Sequence, residues 1–182
     1  NHLGHFALTG LLMPALRRAA APRVVTVTSV VHRRGRLDPA RLAGPRRGRA
    51  WTAYRASKLA NLVFAIELAR RCAAAGSDLV SVAAHPGLAA TALGRAGAGP
   101  TGLGLGVLLR LRGQAADAGA RPVLLAATDP GVLPGGLYGP GGPGAPAGDP
   151  ALEIPAPRAL DAGLAGRLWE ASERMTGVVF DV

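Results

Sequence analysis

The residues best suited to chemistry in this sequence are Tyr54 and Lys58, in the run Tyr54-Arg55-Ala56-Ser57-Lys58. Residues four apart share one face of a helix, so the phenol and the ammonium stand side by side. An ammonium beside a phenol favours the phenolate. A phenol tuned in this way can give a proton to a carbonyl oxygen or take one from an alcohol. The plainer alternative is an ordinary surface pair on a helix. Lys58 is the single lysine among 21 Lys and Arg residues, and one of only two tyrosines precedes it by four positions. Arg stays protonated and is bulkier, so it cannot replace lysine in a proton relay. The pair therefore reads as functional.

Two further candidates follow from the elements that must carry them. Residues 23–30 (RVVTVTSV) read as a strand, rich in Val and Thr and preceded by Pro22. Its nearly continuous apolar character predicts burial on both faces, as in a parallel sheet. Residues 78–84 (DLVSVAA) read as a second strand that ends sharply at His85-Pro86-Gly87. Apolar spacing predicts helices over 1–20, 52–75, 115–128 and 157–175, with Gly76 stopping the second and Pro157 early in the last. Leu137 and Tyr138 form a candidate short strand in a Gly/Pro-rich stretch. This alternation predicts an α/β fold: part of a doubly wound, Rossmann-like parallel sheet with helices on both faces. Ligands of such sheets bind at the carboxyl ends of the strands. That places Ser29, at the end of the first strand, and Pro86-Gly87, at the end of the second, in the candidate site.

Composition narrows the rest. The 182 residues suit one domain, and 49% apolar content supports a buried core. Ala, Gly, Pro and Arg make up just over half of the chain, a bias typical of a GC-rich coding sequence. The one cysteine, Cys72, excludes an internal disulfide and a Cys-based zinc site. The formal charge of +10 raises a nucleic-acid reading. Its densest part, Arg33, Arg34, Arg36, Arg41, Arg46, Arg47 and Arg49, has no aromatic residues interleaved for base stacking and reads as a solvated loop. No stretch reads as a membrane span or signal peptide, so the expected location is cytoplasmic.

Weaker motifs are set aside on context. Residues 97–102 spell a GxGxxG without a preceding strand, and read as part of a mobile substrate flap together with Leu103 to Leu111. His2 and His5 lie near no carboxylate or Cys in sequence, so no metal site is expected. His32 and His85 flank the site, but no GxSxG elbow accompanies them.

Four motifs in order over residues 1–92 resemble the short-chain dehydrogenase/reductase family, which is a family of nicotinamide-dependent oxidoreductases. They are Asn1 in NHLGHF, Ser29 in VTVTSVVH, Tyr54 and Lys58 as YxxxK, and Pro86, Gly87 and Thr91 as PGxxxT. NHLGHF, the His three residues after Ser29, the long Ser-to-Tyr insert, SKLAN and HPG are most similar to the branch of retinol dehydrogenases and protochlorophyllide reductases.

The resemblance implies a catalytic set of Asn1, Ser29, Tyr54 and Lys58. Ser29 would polarise the substrate carbonyl, Tyr54 act as acid/base, Lys58 support the phenolate and hold the nicotinamide ribose, and Asn1 position a relay water. Tyr54, Lys58, Pro86, Gly87, Leu88 and Thr91 would contact the cofactor, NADP or NAD, with the branch favouring NADP. The implied substrate is a small hydrophobic aldehyde, ketone or alcohol; a homo-oligomer is a candidate, and neither nucleic acid nor a membrane span is expected. The family's glycine-rich first turn and its NAD/NADP-selecting segment are not among these residues. The chain therefore reads as a carboxyl-terminal, single incomplete domain: catalytic core 1–92, flap and loops 93–150, helix and tail 151–182. Such a piece is expected to be inactive alone, with the 23–30 strand as an open edge prone to pair with other chains. A non-catalytic remnant serving as a binding or interaction module is the alternative.

Overall fold

A computed structural model describes residues 1–42, 50–87, 115–141 and 147–182. In chain order the elements are α1 (Leu3–Leu16), β1 (Arg23–Val27), short 3-10 turns at Val30–Arg34 and Pro39–Arg41, α2 (Ala50–Ala74), β2 (Val80–Ala84), α3 (Ala116–Thr128), β3 (Leu137–Pro140), β4 (Pro150–Glu153), a 3-10 turn at Pro157–Leu160, and α4 (Ala162–Thr176). The strands form one sheet in the order β1-β2-β3-β4. β1, β2 and β3 are mutually parallel, and β4 returns antiparallel to β3.

Side chains alternate across a strand, and here the alternation separates two layers. Ala83 and Leu137 pack beneath Leu59, Leu62 and Val63 of α2 and Leu164 and Leu168 of α4. Val82, Ala84 and Tyr138 point the other way, onto Ala126 of α3 and Val132. The sheet is thus covered on both faces, as the α/β reading predicts. α1 joins the α2 side through Phe6 and Met13, which pack with Phe64, Leu68, Trp169 and Phe180.

Several boundaries differ from expectation for physical reasons. The first strand stops at Val27 rather than at residue 30, because a 3-10 turn opens at Val30. It is only half-buried, with Val27 42% exposed, since among the described residues it pairs with β2 alone and forms the sheet edge. Apolar content was therefore a poor guide to burial on both faces. α2 stops at Ala74, and Gly76 beyond it takes φ +67, the left-handed conformation that glycine tolerates best. The expected helix over 157–175 is divided: Asp161 accepts from the Leu164 N–H at 2.9 Å and starts α4 afresh after the 3-10 turn. β4 was not anticipated. The expected flap, with Leu103 to Leu111 and the GxGxxG, lies outside the described residues. Among the described residues, no helix is long and apolar enough to cross a membrane.

Candidate active site

β1 and β2 run side by side with Val27 opposite Ala84. Two residues beyond these partners the chain reaches Ser29 on one strand and Pro86 on the other. The Thr28 N–H extends the ladder by donating to the Ala84 carbonyl at 2.8 Å. Ser29 and the Pro86-Gly87 turn consequently leave the sheet at the same end, on neighbouring strands.

Ser29 is half-buried and extended (φ −158, ψ 153). Its carbonyl accepts from the His32 N–H at 2.9 Å and lies 2.8 Å from His32 Nδ1. Its hydroxyl makes no capping bond to the turn it heads, so backbone contacts hold the residue while the side chain is left available. Burial pushes the His32 imidazole below its ordinary range, against the opposing effect of the bond to Ser29.

α2 is fastened to this strand end by three contacts. Thr28 Oγ1 donates to the Lys58 carbonyl at 2.7 Å. Lys58 Nζ and Asn61 Nδ2 each donate to the Val27 carbonyl at 3.2 Å. These bonds fix the height and rotation of the helix relative to Ser29. Lys58 Nζ also stands 5.8 Å from the centre of the Tyr54 ring, as four-residue helical spacing requires. Tyr54 stacks on Trp51 at 5.3 Å, which steadies the ring near the start of the helix. Burial lowers the Lys58 ammonium below the ordinary lysine range.

Asn1 reaches the same helix. Its Nδ2 donates to Ser57 Oγ at 3.3 Å, and Ser57 Oγ donates to the Tyr54 carbonyl at 2.8 Å. Gly87 has φ +64, and its N–H donates to His85 Nδ1 at 3.1 Å. Leu88 and Thr91 lie outside the described residues. Among the described residues no cluster of three or more His, Cys, Asp or Glu could hold a metal.

Four contributors escaped the sequence reading. Asn61 could have been found, because it lies three residues after Lys58 and so on the same helical face. Thr28 carries a weaker signal, one hydroxyl residue ahead of Ser29. Arg33 and Glu153 carry none: their contact, Arg33 Nη2 to Glu153 Oε2 at 3.1 Å, spans 120 positions.

No family model matches the chain. The bovine protein named dehydrogenase/reductase SDR family member 13 is 41% identical over 182 residues, covering 98% of this chain and 46% of the relative. The chain belongs to the short-chain dehydrogenase/reductase family. Within that family it falls among relatives named retinol dehydrogenases. The human retinol dehydrogenase 13 is 35% identical over 184 residues, with 98% of this chain and 53% of that protein covered. The human retinol dehydrogenase 11 is 46% identical over 87 residues, 48% of this chain and 27% of the relative. A crystal structure of an uncharacterised Mycobacterium paratuberculosis protein superposes with a TM-score of 0.73 at 38% identity, over 100% of this chain and 59% of the other. The chain spans about half the length of the curated family members that it matches along nearly its whole extent. The names of these relatives are those of dehydrogenases and reductases.

Proposed function

We propose that the whole protein interconverts a carbonyl and an alcohol on a small hydrophobic substrate, using NADP or NAD, with NADP favoured. The observation that carries the reading is the double tie of Lys58 to the end of β1. Its carbonyl accepts from Thr28 and its ammonium donates to Val27, so Lys58 is tied to the strand end that leads into Ser29.

The residues present fit the nicotinamide end of the cofactor. Lys58 makes no ion pair among the described residues, and an ammonium has three donors to share. Beyond its one bond to Val27, it can serve ribose hydroxyls. Gly87, without a side chain and with φ +64, allows close backbone approach. When bound, the cofactor supplies or accepts the hydride.

The chain's own groups handle the proton and the charge. In reduction, the Tyr54 phenol gives its proton to the carbonyl oxygen as negative charge develops there. The Ser29 hydroxyl donates a hydrogen bond to the same oxygen and stabilises that charge. Lys58 stabilises the resulting phenolate and holds the ribose. Asn1, at Ser57 on the Tyr54 helix, positions a water that returns a proton. Pro86, Gly87, Leu88 and Thr91 hold the carboxamide. In oxidation each proton step reverses. The apolar substrate class follows from the Leu-rich 103–111 stretch and from the relatives named retinol dehydrogenases. Residues 1–182 on their own are proposed to hold nucleotide too weakly for turnover, because dinucleotide sheets bind pyrophosphate at a glycine-rich first turn.

The test is turnover of an aliphatic or retinoid aldehyde by the full-length gene product. Tyr54→Phe keeps the ring and removes the proton, and is expected to lower kcat by about 10² or more with nucleotide affinity nearly unchanged. Lys58→Arg keeps the charge and is expected to fail as well. Near-normal kcat in either variant rules out the assignment.

A further inference from the structure

We propose that Glu153 is a positioning residue, whose carboxylate, held between His85 and Arg33, fixes the Pro86-Gly87 turn in relation to the Ser29 turn. The proposal rests on the reading that these two turns face nicotinamide and substrate.

Glu153 closes β4, opposite Leu137 of β3, and its side chain is buried. A buried carboxylate is costly unless it is paired. Oε2 meets Arg33 Nη2 at 3.1 Å, and the same nitrogen donates to the Ile154 carbonyl at 3.1 Å. Oε1 lies 2.9 Å from Nε2 of the fully buried His85, in an oblique approach rather than a linear hydrogen bond. One carboxylate thus touches the 3-10 turn that follows Ser29 and the residue that precedes Pro86-Gly87.

Bond direction gives the contact its meaning. His85 Nδ1 accepts the Gly87 N–H, so that nitrogen carries no proton. The ring proton is then on Nε2, facing Glu153. Were the proton on Nδ1, the imidazole would turn N–H toward N–H at Gly87 and a lone pair toward the carboxylate. Glu153 therefore selects the tautomer that holds the Gly87 amide. β3 leaves room for the contact. A Cβ on Gly139 would land on Glu153 Oε1 and lie 2.5 Å from His85 Nε2 and 2.6 Å from Cε1.

The test needs no nucleotide. In the full chain, imidazole ¹⁵N spectra should show His85 protonated at Nε2, and the Gly87 amide should be protected from hydrogen exchange. Glu153→Ala should mix the tautomers and speed Gly87 exchange about tenfold, the loss of roughly one buried hydrogen bond, with Phe64 exchange unchanged. Glu153→Gln, which keeps an acceptor for Nε2–H, should restore both. If Glu153→Ala does not fold, Glu153→Met, which fills the space of the side chain without an acceptor, should give the same two changes. Unchanged tautomer and exchange in the variant that folds overturn the proposal, as does failure of Glu153→Gln to rescue. In the full-length enzyme, Glu153→Ala should raise KM for nucleotide more than it lowers kcat. If the spectral changes occur while Tyr54→Phe remains fully active, the positioning stands and the catalytic assignment falls. If Tyr54→Phe is dead and the spectra do not move, the reverse holds.

Discussion

His2 and His85 are both buried histidines, and their surroundings differ in kind. His2 lies among aromatic rings, with its centre 6.1 Å from Phe6 and 6.2 Å from Phe64. Its Nε2 is 2.9 Å from Ser172 Oγ, whose own proton goes to the Leu168 carbonyl, so Nε2 is the donor. His85 meets a backbone amide on one nitrogen and a carboxylate on the other. The first region is held by packed area and shape, and the second by the direction of a few polar contacts. A volume change should therefore damage the first, and a change of charge or acceptor the second.

The largest effect expected from this contrast is on packing. Phe6 is fully buried and touches the rings of Phe64, Trp169 and Phe180, at 5.5, 5.1 and 4.7 Å between centres. Removal of such a ring leaves a cavity and forfeits the transfer free energy of its atoms. Phe6→Ala should cost about 3–5 kcal/mol in urea unfolding. A loss below about 1 kcal/mol, the scale of an ordinary surface change, would mean that the aromatic cluster does not hold α1 to α2 and α4.

The same contrast explains what could be read from sequence. Tyr54 and Lys58 were legible because helical spacing is local: four positions suffice to put them on one face. Ser29 and Pro86-Gly87 were legible as strand ends, although β1 ends two residues before Ser29 rather than at it. The half-burial of β1 was not legible, since burial depends on which strands flank it and not on its own Val content. β4 was hidden for a related reason. Four residues between Gly/Pro-rich segments have no periodicity to detect, and Glu153 acquires meaning only from partners 68 and 120 positions away, His85 and Arg33. Local chemistry is visible in the sequence, whereas the scaffold that aims it is visible only after folding.

Acid should strike the aromatic region through His2. Burial lowers this imidazole from 6.5 to about 4. Between these values the unfolded chain takes up a proton that the native state refuses, so stability is complete above pH 6.5 and falls as pH drops toward 4. Burial shifts His32 in the same direction and adds to the loss. The contribution of His2 should be roughly 2–3 kcal/mol at the acid end. Urea midpoints from pH 7.5 to 4 should fall accordingly, and His2→Gln, which keeps a donor toward Ser172, should flatten most of the slope. A wild-type profile that rises on acidification contradicts the buried, neutral His2.

The smallest effect sharpens the comparison most. Ser172→Ala removes the hydroxyl that accepts from His2 Nε2 and donates to Leu168, while the methylene that packs is kept. The lost bond leaves a buried N–H without its partner, which should cost about 1–2 kcal/mol. If aromatic packing fixes the ring, His2 keeps its place and its Nε2–H tautomer, no longer held by Ser172, is freed to exchange with Nδ1–H. The ¹⁵N spectrum of His2 should show averaging, whereas that of His85 stays on one tautomer. A large loss of stability, near that of Phe6→Ala, would instead mean that the single hydrogen bond orders the rings around it. The two histidine sites would then differ in composition but not in what holds them.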